Sequence, residues 1–402
     1  MAATAASATR GRRGLGPAFV TAALVFGPGS VTTASSLGAG FGYDLVWAPV
    51  LATVLMLCFV DLSVRIGLST DRGPVGTVAA RFGRVIAVVV AFGAFLVTTS
   101  FQAGNSVSTG AASQVLLGVD VALFAALFTA LAIGFVWLPS LYRNLERIMV
   151  AIILVMLAIF VVTAILVQPD PAALVRGLVP SLPSGSSALV VASVATTFSV
   201  VGAFYQIQLV REKGWGPDDY GTARRDATIG TLALGLLSFV IMIAAAAVLH
   251  PVGATVSSPA DMATILEPAV GRWASALFAI GLWAASFSSL VGNATIGGAM
   301  LAGASGREEG GLRSTVVKAC ITVVMLLGGV VAVVFGGIPV KLILTAQAAT
   351  IFVAPAVAVA LVLLARHRSR GALAIGAVQT SLGVVGVGFL VLLAVSYVRN
   401  FV

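Results

Sequence analysis

The residues best placed to do chemistry in this sequence are neutral and lie inside apolar stretches. The segment LVFGPGSVTTASS puts Gly27-Pro28-Gly29 near the centre of one such stretch, and the hydroxyls of Ser30 and Thr33 follow at once. Proline lacks an amide donor and glycine tolerates non-helical backbone, so these residues predict a break in a helix. The carbonyls freed by a break, together with hydroxyls, are oxygen ligands that suit a small ion or ordered water.

A second apolar stretch, VATTFSVVGAFYQIQLV, carries a similar polar cluster without a proline. Its centre holds Thr197, Ser199 and Gly202. Hydroxyls in membrane helices often only bond back to the preceding turn, which is the structural alternative here. The position of this stretch in the chain, discussed below, favours a second break near Ser199–Gly202.

Titratable side chains are scarce in the apolar stretches. Of the 14 acidic residues, we place only Asp61 within such a stretch, four residues before Arg65, and this spacing predicts an ion pair near a helix end. The amides of Gln102, Asn105 and Gln347 remain, although intramembrane amides often only bridge helices. Proton relays and high-affinity transition-metal sites normally need a carboxylate or an imidazole. The sequence therefore predicts a neutral site.

Composition places these residues in a membrane protein. The chain has 402 residues, of which 59% are hydrophobic and only 9% are charged, whereas soluble domains average about 25% charged residues. A soluble enzyme and a disordered chain are excluded. The net charge of +9 comes from basic residues that recur between apolar stretches, so nucleic acid is not an expected partner. Two cysteines and two histidines form no catalytic or metal-ligand spacing, and we predict neither enzymatic activity nor a cofactor.

Eleven stretches are long and apolar enough to cross a bilayer. With a cytoplasmic N-terminus, alternation places 19 of the 23 lysines and arginines inside and 4 outside, in agreement with the positive-inside rule. The C-terminus is then predicted to be outside. The predicted spans are 16–40, 45–66, 85–117, 119–138, 148–167, 186–210, 227–249, 273–303, 314–335, 338–365 and 373–397.

The topology predicts an all-α polytopic membrane protein built as a 5+5 inverted repeat with one extra helix. Five spans start inside and the next five start outside, so the two halves run in opposite orientation. We divide a single transmembrane domain, 1–402, into a short N-terminus (1–15), a first repeat (16–167), an inverted second repeat (186–365) and an extra helix (373–397). Folds of this kind bind substrate near mid-membrane at the broken first helix of each half. Spans one and six are those helices.

Several segments resemble the NRAMP family of divalent metal transporters. They are GPAFVTAALVFGPGSVTTASSLGAGFGYDLVW, LYRNLERIMVAIILVML, QPDPAALVRGLVPSLP and LFAIGLWAASFSSLVGNATIGGAMLAG, in the order of the family. The resemblance extends from about Gly16 to Arg370. It implies the inverted-repeat fold shared with amino-acid and sodium-coupled transporters.

The family's ligand motifs do not carry over. Its Asp-Pro-Gly-Asn motif is replaced here by Gly27-Pro28-Gly29-Ser30, and its Met-Pro-His motif aligns with Ser199-Val200-Val201. An acidic pair on the family's third helix, which belongs to its proton path, aligns with Gln102 and Asn105. The glutamine of its tenth helix is retained as Gln347.

These substitutions predict a transporter that works by alternating access without proton coupling, with a site suited to Mg²⁺ rather than Mn²⁺ or Fe²⁺. The predicted binding residues are Gly27, Ser30, Ser199, Gly202 and Gln347, and the predicted polar pathway is Gln102, Asn105, Thr33 and Thr197. The expected partners are a small ion or solute and the lipid bilayer, in a bacterial plasma membrane. An anion or small organic solute as the substrate, and a receptor or scaffold that no longer transports, remain as alternatives. The oligomeric state stays open.

Overall fold

The structure is a computed structural model that describes residues 27–307, 314–335, 338–368 and 373–399. Within these ranges all regular secondary structure is helical. The α-helices are α1 (Pro28–Phe41), α2 (Trp47–Leu68), α3 (Pro74–Phe82), α4 (Arg84–Leu117), α5 (Val121–Trp137), α6 (Pro139–Leu166), α7 (Pro171–Arg176), α8 (Ser187–Thr197), α9 (Val200–Glu212), α10 (Tyr220–Val248), α11 (Pro259–Ala263), α12 (Glu267–Val270), α13 (Ala274–Ala304), α14 (Thr315–Val334), α15 (Pro339–Ala349), α16 (Ala354–Arg368) and α17 (Ala377–Arg399).

Ten of the eleven predicted spans coincide with one of these helices or with a pair of them, and the described half of span one coincides with α1. In the described residues, eight helical stretches are long and apolar enough to cross a membrane, and the bent pair α15–α16 makes a ninth. Helix α5 is also apolar but has only 17 residues, fewer than any of these eight stretches. Helix α1 is the second half of predicted span one, whose first half, 16–26, lies outside the described residues.

The tenth span contains a bend that the sequence analysis did not predict. Its two halves, Pro339–Phe352 and Ala354–His367, meet at an angle of 46°. Pro355 explains the bend, because a proline has no amide hydrogen to donate to the carbonyl of Ile351 four residues earlier. Helix α6, the corresponding fifth helix of the first half, is continuous, so repeat symmetry does not predict this bend.

Glycines let the central helices approach closely. A Cβ on Gly298 of α13 would lie 2.6 Å from the backbone nitrogen of Ile321 in α14, and a Cβ on Gly328 of α14 would lie 2.6 Å from the Cβ of Gln102 in α4. Small residues at helix contacts are typical of membrane bundles, where packing rather than the hydrophobic effect holds helices together. This packing fixes α4 and α13 around the centre of the bundle, where the candidate site lies.

Candidate ion-binding site at the helix breaks

The sixth span is broken between α8 and α9. The amide of Phe198 still bonds to the carbonyl of Val194 at 2.7 Å, and the helical ladder resumes only where the Ala203 amide bonds to the Ser199 carbonyl at 2.8 Å. Between them Phe198 (ψ 65°) and Ser199 (ψ 86°) leave helical geometry. The Ser199 hydroxyl accepts a hydrogen bond from the Gly202 amide at 3.3 Å and so caps α9. The break thus lies at the start of the predicted range 199–202.

Helix α1 begins where the sequence predicts a break in span one. Pro28 is its first residue, and Gly27 before it is extended, with φ −122° and ψ 179°. The Ser30 hydroxyl lies 3.2 Å from the hydroxyl of Thr196 in α8, so the first turn of α1 contacts the last turn of α8. Thr33 bonds back to the carbonyl of Gly29 at 2.8 Å, which is the helix-internal alternative for a membrane hydroxyl.

A cavity of about 40 Å³ lies between the start of α1 and the break in span six. It is lined by five residues that the sequence analysis predicted for the binding site or the polar pathway and by six that it did not single out for binding. The predicted ones are Gly27, Asn105, Ser199, Gly202 and Gln347. The additional ones are Gly29, Phe101, Thr196, Ser289, Asn293 and Ile296. Ser30, Thr33, Thr197 and Gln102 are buried nearby without lining the cavity.

The two glycines of span one make room for polar side chains from other helices. A Cβ on Gly27 would lie 2.9 Å from the Ser289 hydroxyl of α13 and 3.4 Å from Oδ1 of Asn105 in α4. A Cβ on Gly29 would lie 2.7 Å from Cδ of Gln347 in α15. The absence of side chains at Gly27 and Gly29 therefore lets groups from three helices pack against the backbone of span one.

Two of the amides at the cavity lack hydrogen-bond partners among the described residues. Gln347 is only 4% exposed, and its Oε1 is fully buried without accepting a hydrogen bond. The side chain of Asn105, also 4% exposed, makes no hydrogen bond to the described part of the chain either. An unsatisfied buried polar group costs about 1–3 kcal/mol. Two amides without partners at one cavity indicate that a ligand or water completes the site.

The lining is electrically neutral. No described residue of the lining is acidic, and none is a histidine or cysteine. In the described ranges, no group of three or more His, Cys, Asp or Glu side chains is arranged to hold a metal ion. Hydroxyl and amide oxygens suit hard cations, while the N-termini of α1 and α9, which both begin at the breaks, carry partial positive charge.

Asp61 lies in a separate cluster, where it has several partners. Arg65 donates from Nε to one carboxylate oxygen at 2.9 Å, and the Tyr220 hydroxyl donates to the other at 2.8 Å. Arg65 also donates to the carbonyls of Leu373 and Ala374 at 3.0 and 2.9 Å. The predicted i,i+4 ion pair is confirmed, and the cluster ties α2 to α10 and to the segment before α17.

A larger cavity, of about 390 Å³, lies where α1 ends. Nδ1 of His250 is 2.9 Å from the carbonyl of Ala39, so this ring binds the last turn of α1. Burial, with the charge of Asp170 adding to it, raises the pKa of Tyr43 in this lining. Arg176 at its edge is largely exposed. Because the larger cavity lacks buried unpartnered amides among the described residues, we place the candidate site at the helix breaks.

Comparisons with known proteins agree with this architecture. The family model for natural resistance-associated macrophage protein-like proteins matches residues 18–399. The divalent metal cation transporter MntH of Yersinia pestis (strain Pestoides F) is 28% identical over 287 residues, which is 69% of this chain and 69% of that protein. MntH of Pectobacterium carotovorum is 27% identical over 284 residues, again 69% of each chain. These relatives are transporters, in agreement with the prediction that the chain is not an enzyme.

Solved structures share the fold. A manganese transporter variant from Eremococcus coleocola superposes with a TM-score of 0.68 at 17% identity and covers 94% of this chain and 84% of its own. Mhp1, a nucleobase-cation-symport-1 family transporter in a closed conformation with bromovinylhydantoin bound, gives 0.56 at 14% identity and covers 96% and 92%. The predicted fold of an inverted-repeat transporter is confirmed by these likenesses.

Proposed function

This chain belongs to the natural resistance-associated macrophage protein-like (Nramp) family, and from that premise we propose that it carries a divalent metal cation across a membrane. The relatives named above as divalent metal cation transporters and the manganese transporter of the same fold support the proposal. The cavity at the breaks of spans one and six is the proposed binding site. Alternate opening of this site to the two sides of a bacterial plasma membrane is the proposed mechanism, with the N-terminus inside.

The proposed cation is hard and partly hydrated, as Mg²⁺ is. Mg²⁺ requires octahedral oxygen coordination and usually keeps several waters. One water occupies roughly 10–15 Å³ of such a cavity, so a cavity of about 40 Å³ accommodates an ion with a few waters. Soft or nitrogen ligands, which favour later transition metals, are absent from the described lining. The observation that carries the proposal is the unpartnered Oε1 of Gln347, a residue that lines the cavity, because a buried carbonyl oxygen without a donor is available to a cation once the side chain turns towards it.

We further propose that transport is not coupled to protons. The side chains at the positions aligned with the family's acidic pair are the amides of Gln102 and Asn105, which do not titrate near neutral pH. Asp61 is held by Arg65 and Tyr220 away from the cavity. A membrane potential supplies the drive, since moving a dication across 100 mV is worth about 4.6 kcal/mol.

An inorganic anion is the second candidate substrate. The positive ends of α1 and α9 meet at the cavity with no described acidic side chain opposing them, and helix N-termini bind anions. A cavity of about 40 Å³ leaves little room for an organic solute. The cavity and its unpartnered amides argue against a receptor with a dry, closed centre.

Flux into proteoliposomes tests the proposal. Purified protein is reconstituted, and uptake of Mg²⁺, Mn²⁺, chloride and bicarbonate is measured separately against empty liposomes. We expect Mg²⁺ uptake that falls at least about tenfold in Gln347→Met, which removes one carbonyl ligand at nearly constant volume. The matched control is Gln114→Met, at an exposed position of α4. Uptake of an anion without divalent cation uptake would reject the proposal in favour of the second candidate.

A further inference from the structure

The amide of Asn293 in α13 is held in one orientation. Its nitrogen donates to the backbone carbonyl of Thr98 at 2.6 Å and to Oε1 of Gln102 at 3.3 Å, both in α4. A reversed amide would point its oxygen at two acceptor oxygens and lose both bonds. Because the nitrogen is turned towards α4, the carbonyl oxygen is left for the cavity that Asn293 lines.

Gln102 is placed to fix this orientation. It is completely buried, and its Cβ lies against Gly328 of α14, where a Cβ would come within 2.6 Å. Its Oε1 accepts the bond from Asn293, while its Nε2 has no partner among the described residues. A buried amide that leaves its own donor unsatisfied costs about 1–3 kcal/mol, so a role for Gln102 as an acceptor explains its presence better than packing does.

We propose that Asn293 binds the transported cation through its carbonyl oxygen and that Gln102 is the positioning residue that holds that oxygen towards the cavity. This inference rests on the proposed function and names a ligand on α13 that the sequence did not predict. Gln102 acts through Asn293 rather than by lining a pathway itself. The ligand class is a hard divalent cation, bound directly or through one water.

The fixed amide also gives the site a preference for the sign of charge. A free amide can turn its N–H groups to an anion or its oxygen to a cation. The bonds to Thr98 and Gln102 occupy the donor side of Asn293 and leave the acceptor side available. The arrangement therefore favours a cation over the anion kept above as the second candidate.

Four variants in proteoliposomes test the inference, with Mg²⁺ as the probe and its KM and Vmax measured separately. Asn293→Leu removes the ligand, and we expect KM to rise at least about tenfold. Gln102→Met removes the acceptor at similar volume and frees Asn293 to turn, so KM should rise several-fold with Vmax less affected. Gln102→Glu keeps an acceptor oxygen in either protonation state and should restore KM to the wild-type value or below, which a purely structural role would not predict.

The fourth variant, Asn293→Asp, still tests whether Asn293 binds the cation if the apolar variants fail to fold. The carboxylate retains an oxygen at the cavity, and the free Nε2 of Gln102 can turn to donate to its other oxygen, while the bond to the Thr98 carbonyl is lost and that side of the carboxylate must rotate away. We expect Mg²⁺ to bind at least about tenfold more tightly by calorimetry in detergent. An unchanged Mg²⁺ affinity in Asn293→Asp, or a wild-type KM in both Asn293→Leu and Gln102→Met, would overturn the inference. If the wild type still takes up Mg²⁺, the proposed function stands in either case. Absent wild-type uptake of any divalent cation would instead reject the proposed function.

Discussion

Two buried polar regions of this molecule differ in how completely they are paired. At the end of α2, Asp61 and Arg65 are 13% and 7% exposed and are bonded to each other, to Tyr220 and to backbone carbonyls. At the helix breaks, the groups are neutral, yet Gln347 and Asn105 lack partners among the described residues. Charge alone would have pointed to the first region as the functional one. The polar groups without hydrogen-bond partners instead point to the helix breaks as the functional region.

The energetics of the two regions explain the difference. A buried ion pair is tolerated when further hydrogen bonds satisfy both charges, and then it contributes mainly to structure. An unpartnered buried amide in the lining of a cavity stabilises the fold little, and it persists where a ligand uses it. The comparison predicts that changes at Asp61 act on stability and that changes at the breaks act on transport.

The largest expected effect is on stability at Asp61. Asp61→Leu leaves the Arg65 guanidinium buried without a carboxylate, which costs about 3–5 kcal/mol for a buried pair. We expect a marked fall in the thermal unfolding temperature in detergent, with Mg²⁺ uptake per folded molecule preserved. Asp71→Leu, at an exposed position, is the control. Proton uptake that tracks substrate and disappears in Asp61→Asn would show that Asp61 belongs to the transport path.

At Gln347 we expect the opposite outcome, a gain in stability together with a loss of transport. Gln347→Met removes a buried carbonyl that accepts no hydrogen bond, so the unfolding free energy should rise by about 1–2 kcal/mol while transport falls. Thermal unfolding and uptake measured on one preparation separate the two effects. A variant that loses both stability and transport would assign Gln347 a structural role, and the comparison would fail at this residue.

A third test introduces charge into the neutral site. The triple variant Gly27→Asp, Ser30→Asn and Ser199→Met recreates the family's ligand types at the aligned positions. A Cβ at position 27 would lie 2.9 Å from the Ser289 hydroxyl and 3.2 Å from the Ser289 Cβ, so α13 must shift by a few tenths of an ångström to admit the new side chain. We expect calorimetry to show Mn²⁺ binding at least about tenfold tighter than in the wild type.

The control for the triple variant is Gly40→Asp, on the same helix but with open space around a Cβ. Micromolar Mn²⁺ affinity in the wild type would contradict the account of an oxygen-only site. A folded triple variant with no gain would show that the aligned positions do not converge on one ion.

The smallest expected effect is at Ser199. Its hydroxyl caps α9 through a long bond of 3.3 Å to the Gly202 amide. Ser199→Ala should cost about 0.5–1 kcal/mol, the low end of the range for helix caps. Ser199→Thr keeps the hydroxyl and should behave as the wild type in thermal unfolding. A loss of uptake far beyond this change in stability would identify the hydroxyl as a direct ligand.

The sequence predicted the break in span six, the non-helical Gly27 before α1 and the neutrality of both segments, because proline, glycine and hydroxyl residues act locally. It did not single out Asn293 and Ser289, which lie on the unbroken helix α13 and reach the cavity only through helix packing. The contact between the hydroxyls of Ser30 and Thr196 joins residues 166 positions apart, which no local pattern contains, and the role of Ser30 as a ligand stays a prediction. The bend in the tenth span had a readable signal in Pro355.

Simultaneous measurement of Mg²⁺ and proton movement tests the central claim most directly. Proteoliposomes with wild-type protein, an internal Mg²⁺ indicator and an internal pH indicator are exposed to an inward Mg²⁺ gradient at several imposed potentials. The account predicts Mg²⁺ uptake that increases with an inside-negative potential while the internal pH stays constant. Acidification in proportion to Mg²⁺ uptake, or chloride uptake with no movement of Mg²⁺ at any potential, would contradict it.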